Sequence, residues 1–383
     1  MTRLVAAISG GVDSAVATAR LVGAGHDVTA VHLVLRDGAD AASQDARRVA
    51  EAVGVPFEVW DLRDEFQRLV LDDFTSAYAA GLTPNPCLMC NRTIKFGALL
   101  DRALERGFDG VATGHYARVG VPAGGTVGTV PIVPSLGTVG TVPNAPAAPA
   151  VVLLRAADAG KDQSYVLSVL TQRQLRHIWL PLGNSTKDEV RAQARAMALP
   201  VAENPESMDL CFIPDGGTAG WLRARLGARP GTVVDADGTV LGTHDGAYRF
   251  TIGQRKGLNL RRPAADGEPR FVLSVDAPAG RVVVGPREKL AVAELRCGPA
   301  VWTSGEAPAG PVTVRVQVRA HGGEHDAVVT PQDDGTVTVA LPSPIIGVAP
   351  GQTAAFYDGA TVVGSAVIRQ TLPAEAARPD TET

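Results

Sequence analysis

Ser9-Gly10-Gly11-Val12-Asp13-Ser14 follows the apolar run Leu4 to Ile8 and precedes the alanine-rich run Ala15 to Val22. Strand, glycine turn and helix start, in that order, form a cradle for an anion. Two glycines let backbone approach a phosphate closely. Ser9 and Ser14 add hydroxyl donors, and the helix start offers free N–H groups and the positive end of a dipole. The stretch predicts a nucleotide site within the first fifteen residues. It is not the Walker loop, which needs Gly-Lys-Ser/Thr after its spacers, and it lacks the third glycine of a dinucleotide fingerprint. An ordinary Gly-Gly turn is the plain alternative, and the strand-loop-helix register favours the cradle.

Downstream, strands and helices alternate. Asp27 to Leu35 is near-continuously apolar, as a strand buried on both faces should be. Ala41 to Val53 has helical spacing, Phe57 to Trp60 reads as a strand, and Glu65 to Ala80 as a long amphipathic helix. A proline-broken loop, Gly81 to Cys90, precedes a helix over Asn91 to Arg106 and a strand at Gly110 to Ala112. The alternation predicts an α/β fold with a Rossmann-like, doubly wound parallel sheet. Such sheets bind ligands beyond the carboxyl ends of their strands, where Ser9 and the run Thr113-Gly114-His115 both fall. Lys161 to Leu175 and Thr186 to Ala198 are expected to be helical, the latter with Thr186 and Glu189 forming a capping box.

The character changes near Glu206. Asp235 to Gly238 closes a hairpin, Val312 to Val318 alternates strictly, and strand runs follow at Thr336 to Leu341, Ala354 to Tyr357 and Thr361 to Ile368. These predict a small all-β unit, expected as a barrel. The expected division is a catalytic nucleotide-binding unit over 1–205, a small central unit over 206–273, a C-terminal β-barrel over 274–371 and a frayed tail over 372–383. Within the first unit, 119–150 carries no charge and repeats GTVGTVP at Gly125 to Pro131 and Gly137 to Pro143, which marks a surface insertion with no core of its own.

The 383 residues leave room for two or three domains, and 45% hydrophobic with 20% charged residues is a soluble globular composition. The early strand leaves no room for a signal peptide. No apolar run reaches the roughly 18 residues that span a bilayer. Four cysteines do not make a disulfide scaffold. A cytoplasmic protein with no membrane partner is expected. The net charge of -4 weighs against a nucleic-acid partner overall, yet Arg249 to Arg262 puts five cations and no acid into fourteen residues.

Thr83-Pro84-Asn85-Pro86-Cys87-Leu88-Met89-Cys90-Asn91 is the second decisive element. Two prolines stiffen the loop, and Cys90 falls at the expected start of a helix, where the dipole lowers a thiol pKa and favours the nucleophilic thiolate. A C-x-x-C pair is equally half a zinc site, a redox dithiol or two buried thiols. The zinc reading lacks two ligands, because Cys211 and Cys297 stand alone. Cys211 by itself would be an inert core cysteine, and Cys297 reads as structural.

SGGVDS resembles the loop of the PP-loop ATP pyrophosphatases, which cut ATP between its α and β phosphates and transfer AMP to a carbonyl oxygen. TPNPCLMCN, ATGHYAR (Ala112 to Arg118), GKDQSY (Gly160 to Tyr165), ESMDLCFI (206–213) and TIGQRKGL (Thr251 to Leu258) follow in the order found in the tRNA-specific 2-thiouridylases. The chain resembles that family from Ser9 to about Ile368, the charge-free insertion excluded. The resemblance implies an adenine nucleotide alpha hydrolase-like α/β domain, a small central domain and a C-terminal β-barrel. It implies thiolation of the wobble uridine in tRNAs for Lys, Glu and Gln with ATP and Mg²⁺. The partners it implies are the tRNA anticodon loop and a sulfur-relay or cysteine desulfurase protein that donates the persulfide.

By position, the resemblance makes Cys90 the first catalytic cysteine and Cys211 the persulfide carrier. Ala7, Ile8, Ser9, Gly10, Gly11, Val12, Asp13, Ser14, Leu33 and Gly114 would contact ATP, with Asp13 helping to organise the metal ion. Asn85, Pro86 and Cys87 would lie at the target base. His115, Lys161, Asp162, Gln163 and the barrel positions Arg319, Ala320 and Gln352 would face tRNA. Many members carry Asp, assigned acid–base work, where this chain has Cys87, so that step runs differently here or does without it. Both sulfur routes, direct attack by the persulfide or release of hydrosulfide by Cys90, end in a Cys90–Cys211 disulfide. Thiols so far apart in sequence must meet, which predicts a moving loop around Cys211. The uridine must leave its stack, and the basic stretch would grip RNA backbone, where its plain reading is a solvated loop.

Two other readings stay open on the sequence. An amidotransferase or nucleotide ligase of the PP-loop superfamily would use ATP but leave the paired thiols without a task. A non-catalytic RNA-binding module with a degenerate loop would leave Ser9, Asp13, Cys90 and Cys211 without one.

Overall fold

The computed structural model describes residues 1–38, 40–120, 150–205, 210–213, 217–260 and 267–374. The repeats of the insertion, the 206–209 part of the ESMDLCFI motif, Arg261 and Arg262 of the basic stretch, and the tail from 375 lie outside them.

β1 (Arg3–Ala7) runs into α1 (Val12–Gly23), β2 (Asp27–Val34) into α2 (Asp40–Val53), and β3 (Phe57–Asp61) into α3 (Arg63–Phe66), a π-helical stretch Gln67–Leu71 and α4 (Asp72–Ala79). A second helical run holds α5 (Pro86–Cys90), the π-helical Asn91–Ala98 and α6 (Leu99–Glu105), and leads into β4 (Gly110–Ala112). β5 (Arg118–Gly120) and β6 (Val152–Leu154) flank the insertion. α7 (Ser164–Leu167), α8 (Gln172–Leu175), β7 (Ile178–Trp179) and α9 (Lys187–Ala196) complete the first unit. Its five strands are all parallel in the order β3-β2-β1-β4-β7, the doubly wound sheet expected. The order reverses at β1, so the loop after β1 lies at the switch point where such sheets bind ligands.

Three local expectations change. The helix of the cysteine loop starts at Pro86 with Asn85 as its cap, so Cys90 lies one turn inside it rather than at its start. Lys161 to Leu175 is two single turns: the first ends at Leu167 with Ser168 as its C-cap, and Thr171 caps the second through a box with Gln174. The central sheet, β10-β11-β8-β9, runs past 273 to Gly285, so a boundary at 273 would cut a hairpin. That sheet comprises β8 (Gly231–Val234), β9 (Val240–His244), β10 (Phe271–Asp276) and β11 (Arg281–Gly285), preceded by α10 (Gly217–Leu226). The β8–β9 hairpin closes at Asp235 to Thr239 as read from the sequence.

β12 (Ala291–Cys297), β13 (Val301–Trp302), β14 (Val312–Gln317), β15 (Glu324–Pro331), β16 (Val337–Ile346), β17 (Thr353–Asp358) and β18 (Thr361–Pro373) form the last unit. The order β12-β16-β15-β14-β17-β18 closes on itself through β12–β18, which makes the expected barrel. Cys297 is buried in its core, a structural residue as read. β6 adds to the edge of β18, so the hairpin that carries the insertion ties the barrel to the catalytic unit by backbone pairing.

Two apolar clusters cross the unit boundaries. One joins Phe66, Phe74 and Cys90 to Phe212, Trp221 and Tyr248. The other joins Leu88, Phe96 and Tyr165 to Ala355, Tyr357 and Val362 of the barrel. α5 therefore stands between two cores, with Leu88 in one and Cys90 in the other. A buried leucine such as Leu88 contributes about 1.5–3 kcal/mol, which helps to hold that short helix in place.

α9 begins with the capping box read from the sequence: Thr186 Oγ1 accepts from the Glu189 N–H at 3.3 Å, and Glu189 Oε2 accepts from the Thr186 N–H at 2.8 Å. Thr186→Ala is expected to lower stability by about 1 kcal/mol, measured by denaturant unfolding.

Candidate active site

The loop from Ile8 to Ser14 is organised by its own groups. Gly10 takes a φ of +81°, and a Cβ there would come within 2.8 Å of Asp45 Cβ, so both conformation and space demand glycine. Ser14 Oγ donates to the Gly11 carbonyl at 3.0 Å and accepts from the Ser9 N–H at 3.2 Å, which folds the loop over the start of α1. Gly11 caps α1 without a side-chain hydrogen bond, leaving that helix end to an incoming anion. Gly114 crosses directly beneath: a Cβ on it would lie 2.7 Å from both Asp13 C and Ser14 N. Leu33, half-buried near the end of β2, gives the neighbouring wall an apolar edge. Of the other residues expected at ATP, Ala7 ends β1 and Ile8 follows it, its carbonyl 3.1 Å from His32 Nδ1.

Asp13 is the focus of the cradle. Its Oδ1 accepts from Tyr116 Oη at 2.8 Å, and Lys187 Nζ lies 2.7 and 2.8 Å from its two oxygens. Lys187 is the first residue of α9, and its N–H donates to Asp158 Oδ2 at 3.0 Å. Spacing in the sequence gave no sign of either partner. Among the described residues no cluster of three or more His, Cys, Asp or Glu could hold a metal ion. A single carboxylate suits Mg²⁺, which takes one or two carboxylates plus substrate phosphates and waters. The donor set therefore fits Mg²⁺ delivered with a nucleotide.

Asn85 Oδ1 accepts from the Cys87 N–H at 3.1 Å, capping α5, and Pro86 fills its first position. Cys87 is exposed and Cys90 is buried. Burial pushes the Cys90 thiol up to about 12, with Lys95 opposing and the charges of Cys211 and Cys87 adding to the rise. Loss of solvent also pushes Cys87 up, with the same opposition from Lys95 and a further rise from Cys211. The expected low thiol pKa at Cys90 is thus reversed, because the residue sits a turn inside the helix in an apolar cluster. The half-buried Lys95 arrives through the π-helical stretch, whose five-residue register carries it round toward Cys90.

Cys211 is exposed, while its neighbour Phe212 is wedged edge-on among Phe66, Phe74 and Trp221 at 5.9, 5.5 and 5.3 Å. Cys90 and Phe212 share one cluster, so the segment that carries Cys211 is rooted in the apolar cluster that buries Cys90. All four cysteines are free.

The residues expected at tRNA divide into two groups. His115, Asp162 and Gln163 turn inward. His115 is buried, with Nδ1 2.8 Å from Thr113 Oγ1, and burial together with Lys95 holds its pKa well below the usual histidine value. The Asp162 carboxylate accepts from Arg155, Ser164 Oγ and the N–H groups of Ala156 and Ser164, at 2.7–3.1 Å. Gln163 Oε1 accepts from the Tyr116 N–H at 2.8 Å. Lys161 lies on the turn these contacts hold.

Arg319, Ala320 and Gln352 instead line a cavity of about 550 Å³ together with Thr83, Gln254 and His321. Gln352 Nε2 donates to the Thr83 carbonyl at 2.6 Å, and the Thr83 N–H donates to the Pro350 carbonyl at 2.9 Å. All three units thus contribute to this cavity beside the cysteine loop. Of the basic stretch, Arg249 is paired with Asp245 at 2.5 Å, so its charge is partly answered locally.

Gly114→Ala is expected to drive a methyl group into the backbone at Asp13 and Ser14, lowering stability by about 1–3 kcal/mol and weakening nucleotide binding at least about ten-fold by calorimetry. Alkylation of the intact protein followed by peptide mass spectrometry should label Cys211 and Cys87 well before Cys90. With its thiol at about 12, Cys90 should gain reactivity roughly ten-fold per pH unit between about pH 7 and 9.

Three family profiles cover the chain. One described as the tRNA methyl transferase HUP domain matches residues 2–215, one described as the tRNA methyl transferase PRC-barrel domain matches 219–286, and one described as the aminomethyltransferase beta-barrel domain matches 292–368. The chain is 52% identical to the tRNA-specific 2-thiouridylase MnmA of Nocardioides sp., with 96% of this chain and 98% of that one covered. It is 50% identical to the proteins of that name from Mycolicibacterium smegmatis, covering 96% and 99%, and from Streptomyces coelicolor, covering 98% and 96%. Among solved structures, it matches a U34-tRNA thiolase from Methanococcus maripaludis at 17% identity and a TM-score of 0.33, over 55% of this chain and 60% of that one, a likeness that carries no argument. Half of all residues retained along nearly the whole of both chains makes this chain a member of the tRNA-specific 2-thiouridylase family.

Proposed function

We propose that this chain is a cytoplasmic tRNA-uridine 2-sulfurtransferase that makes 2-thiouridine at the wobble position of tRNAs for Lys, Glu and Gln. The observation that carries the reading is the run Gly114-His115-Tyr116. Gly114 packs against the nucleotide loop, His115 feels the charge of Lys95 beside the thiols, and Tyr116 donates to Asp13. One short segment therefore packs on the nucleotide loop and lies within electrostatic reach of Lys95, which also acts on Cys87 and Cys90, and this supports the reading.

A uridine C2 carbonyl is a poor electrophile with a poor leaving group, and AMP on that oxygen corrects both faults. The loop from Ser9 to Ser14 and the start of α1 hold the triphosphate, and Leu33 borders the adenine. When bound, Mg²⁺ neutralises charge on the departing pyrophosphate, with Asp13 as its protein ligand. The uridine oxygen bonds to the α-phosphorus, pyrophosphate leaves with the bridging electron pair, and the proton at N3 goes to solvent. Sulfur arrives as a persulfide on Cys211, loaded by a cysteine desulfurase or sulfur-relay protein. Either its outer sulfur attacks C2 and the Cys90 thiolate then attacks the Cys211 sulfur, breaking the S–S bond to release the thiolated base, or the Cys90 thiolate attacks the inner sulfur first and frees hydrosulfide to attack C2. AMP leaves by either route, and a Cys90–Cys211 disulfide remains for an external dithiol to reduce.

Exposure of Cys211 suits loading by a partner, and the burial of Cys90 suits a nucleophile kept protonated until Cys211 approaches. His115, Asp162 and Gln163 serve the RNA by shaping the turn that carries Lys161. Arg319, Ala320 and Gln352 meet the RNA in the cavity beside Asn85, Pro86 and Cys87. With Cys87 in place of a carboxylate, acid–base work at the base passes to water.

Mass spectrometry of tRNA nucleosides, after incubation with ATP, Mg²⁺ and a persulfide donor, should show 2-thiouridine with the intact protein. Cys90→Ser and Cys211→Ser should each lower its formation at least about 10³-fold while leaving tRNA affinity within about two-fold. A sulfur-free tRNA product from the intact protein overturns the reading.

A further inference from the structure

We propose that Lys187 is the residue that receives the departing pyrophosphate, and that its ion pair with Asp13 is the resting form of that contact. The inference rests on the nucleotide reading of the loop and adds a residue that none of the motifs contains.

Four observations support it. Lys187 Nζ reaches both oxygens of Asp13, at 2.7 and 2.8 Å, from the start of α9. Its side chain is only 12% exposed, against 35% for Asp13, so the ammonium enters the site from within and the carboxylate lies nearer the opening. The Lys187 stem is anchored: its N–H is held by Asp158, and the capping box of Thr186 and Glu189 fixes the turn that begins at Lys187. The ammonium also lies 5.9 Å from the centre of the Tyr116 ring, so its surroundings are preformed for a cation.

The electrostatics give the pair a direction. The start of α1 is shaped for an anion, and Asp13 places a carboxylate at its rim. An incoming triphosphate repels that carboxylate unless a cation lies between them. Asp13 would hold a divalent ion bound with the phosphates, and its carboxylate would then release the ammonium. Lysine is a flexible point charge well suited to phosphate, and its anchored stem lets the ammonium swing to the nearest phosphate oxygens without moving α9. As the α–β bridging bond breaks and its electron pair leaves on pyrophosphate, the fixed ammonium meets the charge that develops. Lys187 stays protonated throughout, and no electrons beyond that pair change hands.

Calorimetry with inorganic pyrophosphate in chelator, so that no metal takes part, tests the inference directly. Lys187→Met should weaken binding at least about ten-fold, Lys187→Arg should stay within about three-fold, and Asp13→Asn should tighten binding, because the ammonium loses its competing carboxylate. In turnover with ATP, Lys187→Met should lower the rate of pyrophosphate release about 10²–10³-fold with tRNA affinity unchanged. A merely structural ion pair predicts that Lys187→Met and Asp13→Asn both leave pyrophosphate binding where it was, and that result overturns the inference. If Lys187→Met does not fold, the Asp13→Asn arm decides: weaker or unchanged metal-free binding overturns the inference. Failure of the intact protein to bind pyrophosphate and ATP at all would instead overturn the nucleotide reading on which it rests.

Discussion

The Asp13 carboxylate is where the catalytic unit is drawn together. It sits in the first turn of α1 and takes hydrogen bonds from Tyr116, just past β4, and from Lys187, the first residue of α9. These elements are far apart in sequence, and each brings its own support. The capping box sets the start of α9, Asp158 fastens the Lys187 backbone, and Gln163 holds the backbone of Tyr116. Gly114 makes the convergence sterically feasible, because any side chain there would meet the backbone of Asp13 and Ser14. A half-buried carboxylate with a cation and a phenol around it is costly to leave alone once one partner is removed. The loop is therefore stiff at rest, and a ligand that takes over one of these contacts changes the balance of the whole cluster.

The second constraint is the position of α5. Leu88 packs into the cluster shared with the barrel and Cys90 into the cluster shared with Phe212 and Trp221. The barrel reinforces this from outside. Gly351, at a φ of +93°, comes so close to Thr83 that a Cβ on it would lie 2.7 Å from the Thr83 nitrogen. Gln352 closes the same contact by a hydrogen bond. The loop that presents Asn85, Pro86 and Cys87 is thus rigid because three units hold it. Cys211 is different in kind: exposed itself, it is attached to a deeply inserted Phe212. Such an arrangement fixes where the cysteine segment is rooted while leaving the thiol at the surface.

Much of this was legible in the amino-acid sequence because it depends on local pattern. The β1-loop-α1 cradle, the parallel sheet, the Thr186–Glu189 box, the Asp235 hairpin and the strictly alternating strands of the barrel all follow from residues within a few positions of one another. What stayed hidden depends on long-range packing. Nothing near Lys187 announces Asp13, and nothing in the apolar run at β6 announces pairing with β18. The direction in which a polar side chain turns is hidden as well. Asp162 and Gln163 belong to a stretch expected to meet RNA, yet their polar atoms bond inward, to Arg155 and Ser164 and to Tyr116. Cys90 was misjudged for the same reason. A helix start lowers a thiol pKa, but the helix starts at Pro86 rather than at the expected Asn91, and its apolar face then dominates.

That reversal carries a mechanistic consequence. With burial pushing Cys90 to about 12, only about one molecule in 10⁵ carries the thiolate near pH 7, so the residue is inert toward casual oxidants and electrophiles. Desolvation is the largest cause of the shift and Lys95 the opposing one, so the state of Cys90 depends on its surroundings more than on ambient pH. Admitting water or moving the apolar cover lowers the thiol directly, and Lys95 stands ready to stabilise the charge that forms. Phe212 belongs to that cover and adjoins Cys211 in the chain. Any movement that carries the Cys211 sulfur inward must disturb the four-ring cluster around Phe212, and with it the desolvation that keeps Cys90 protonated.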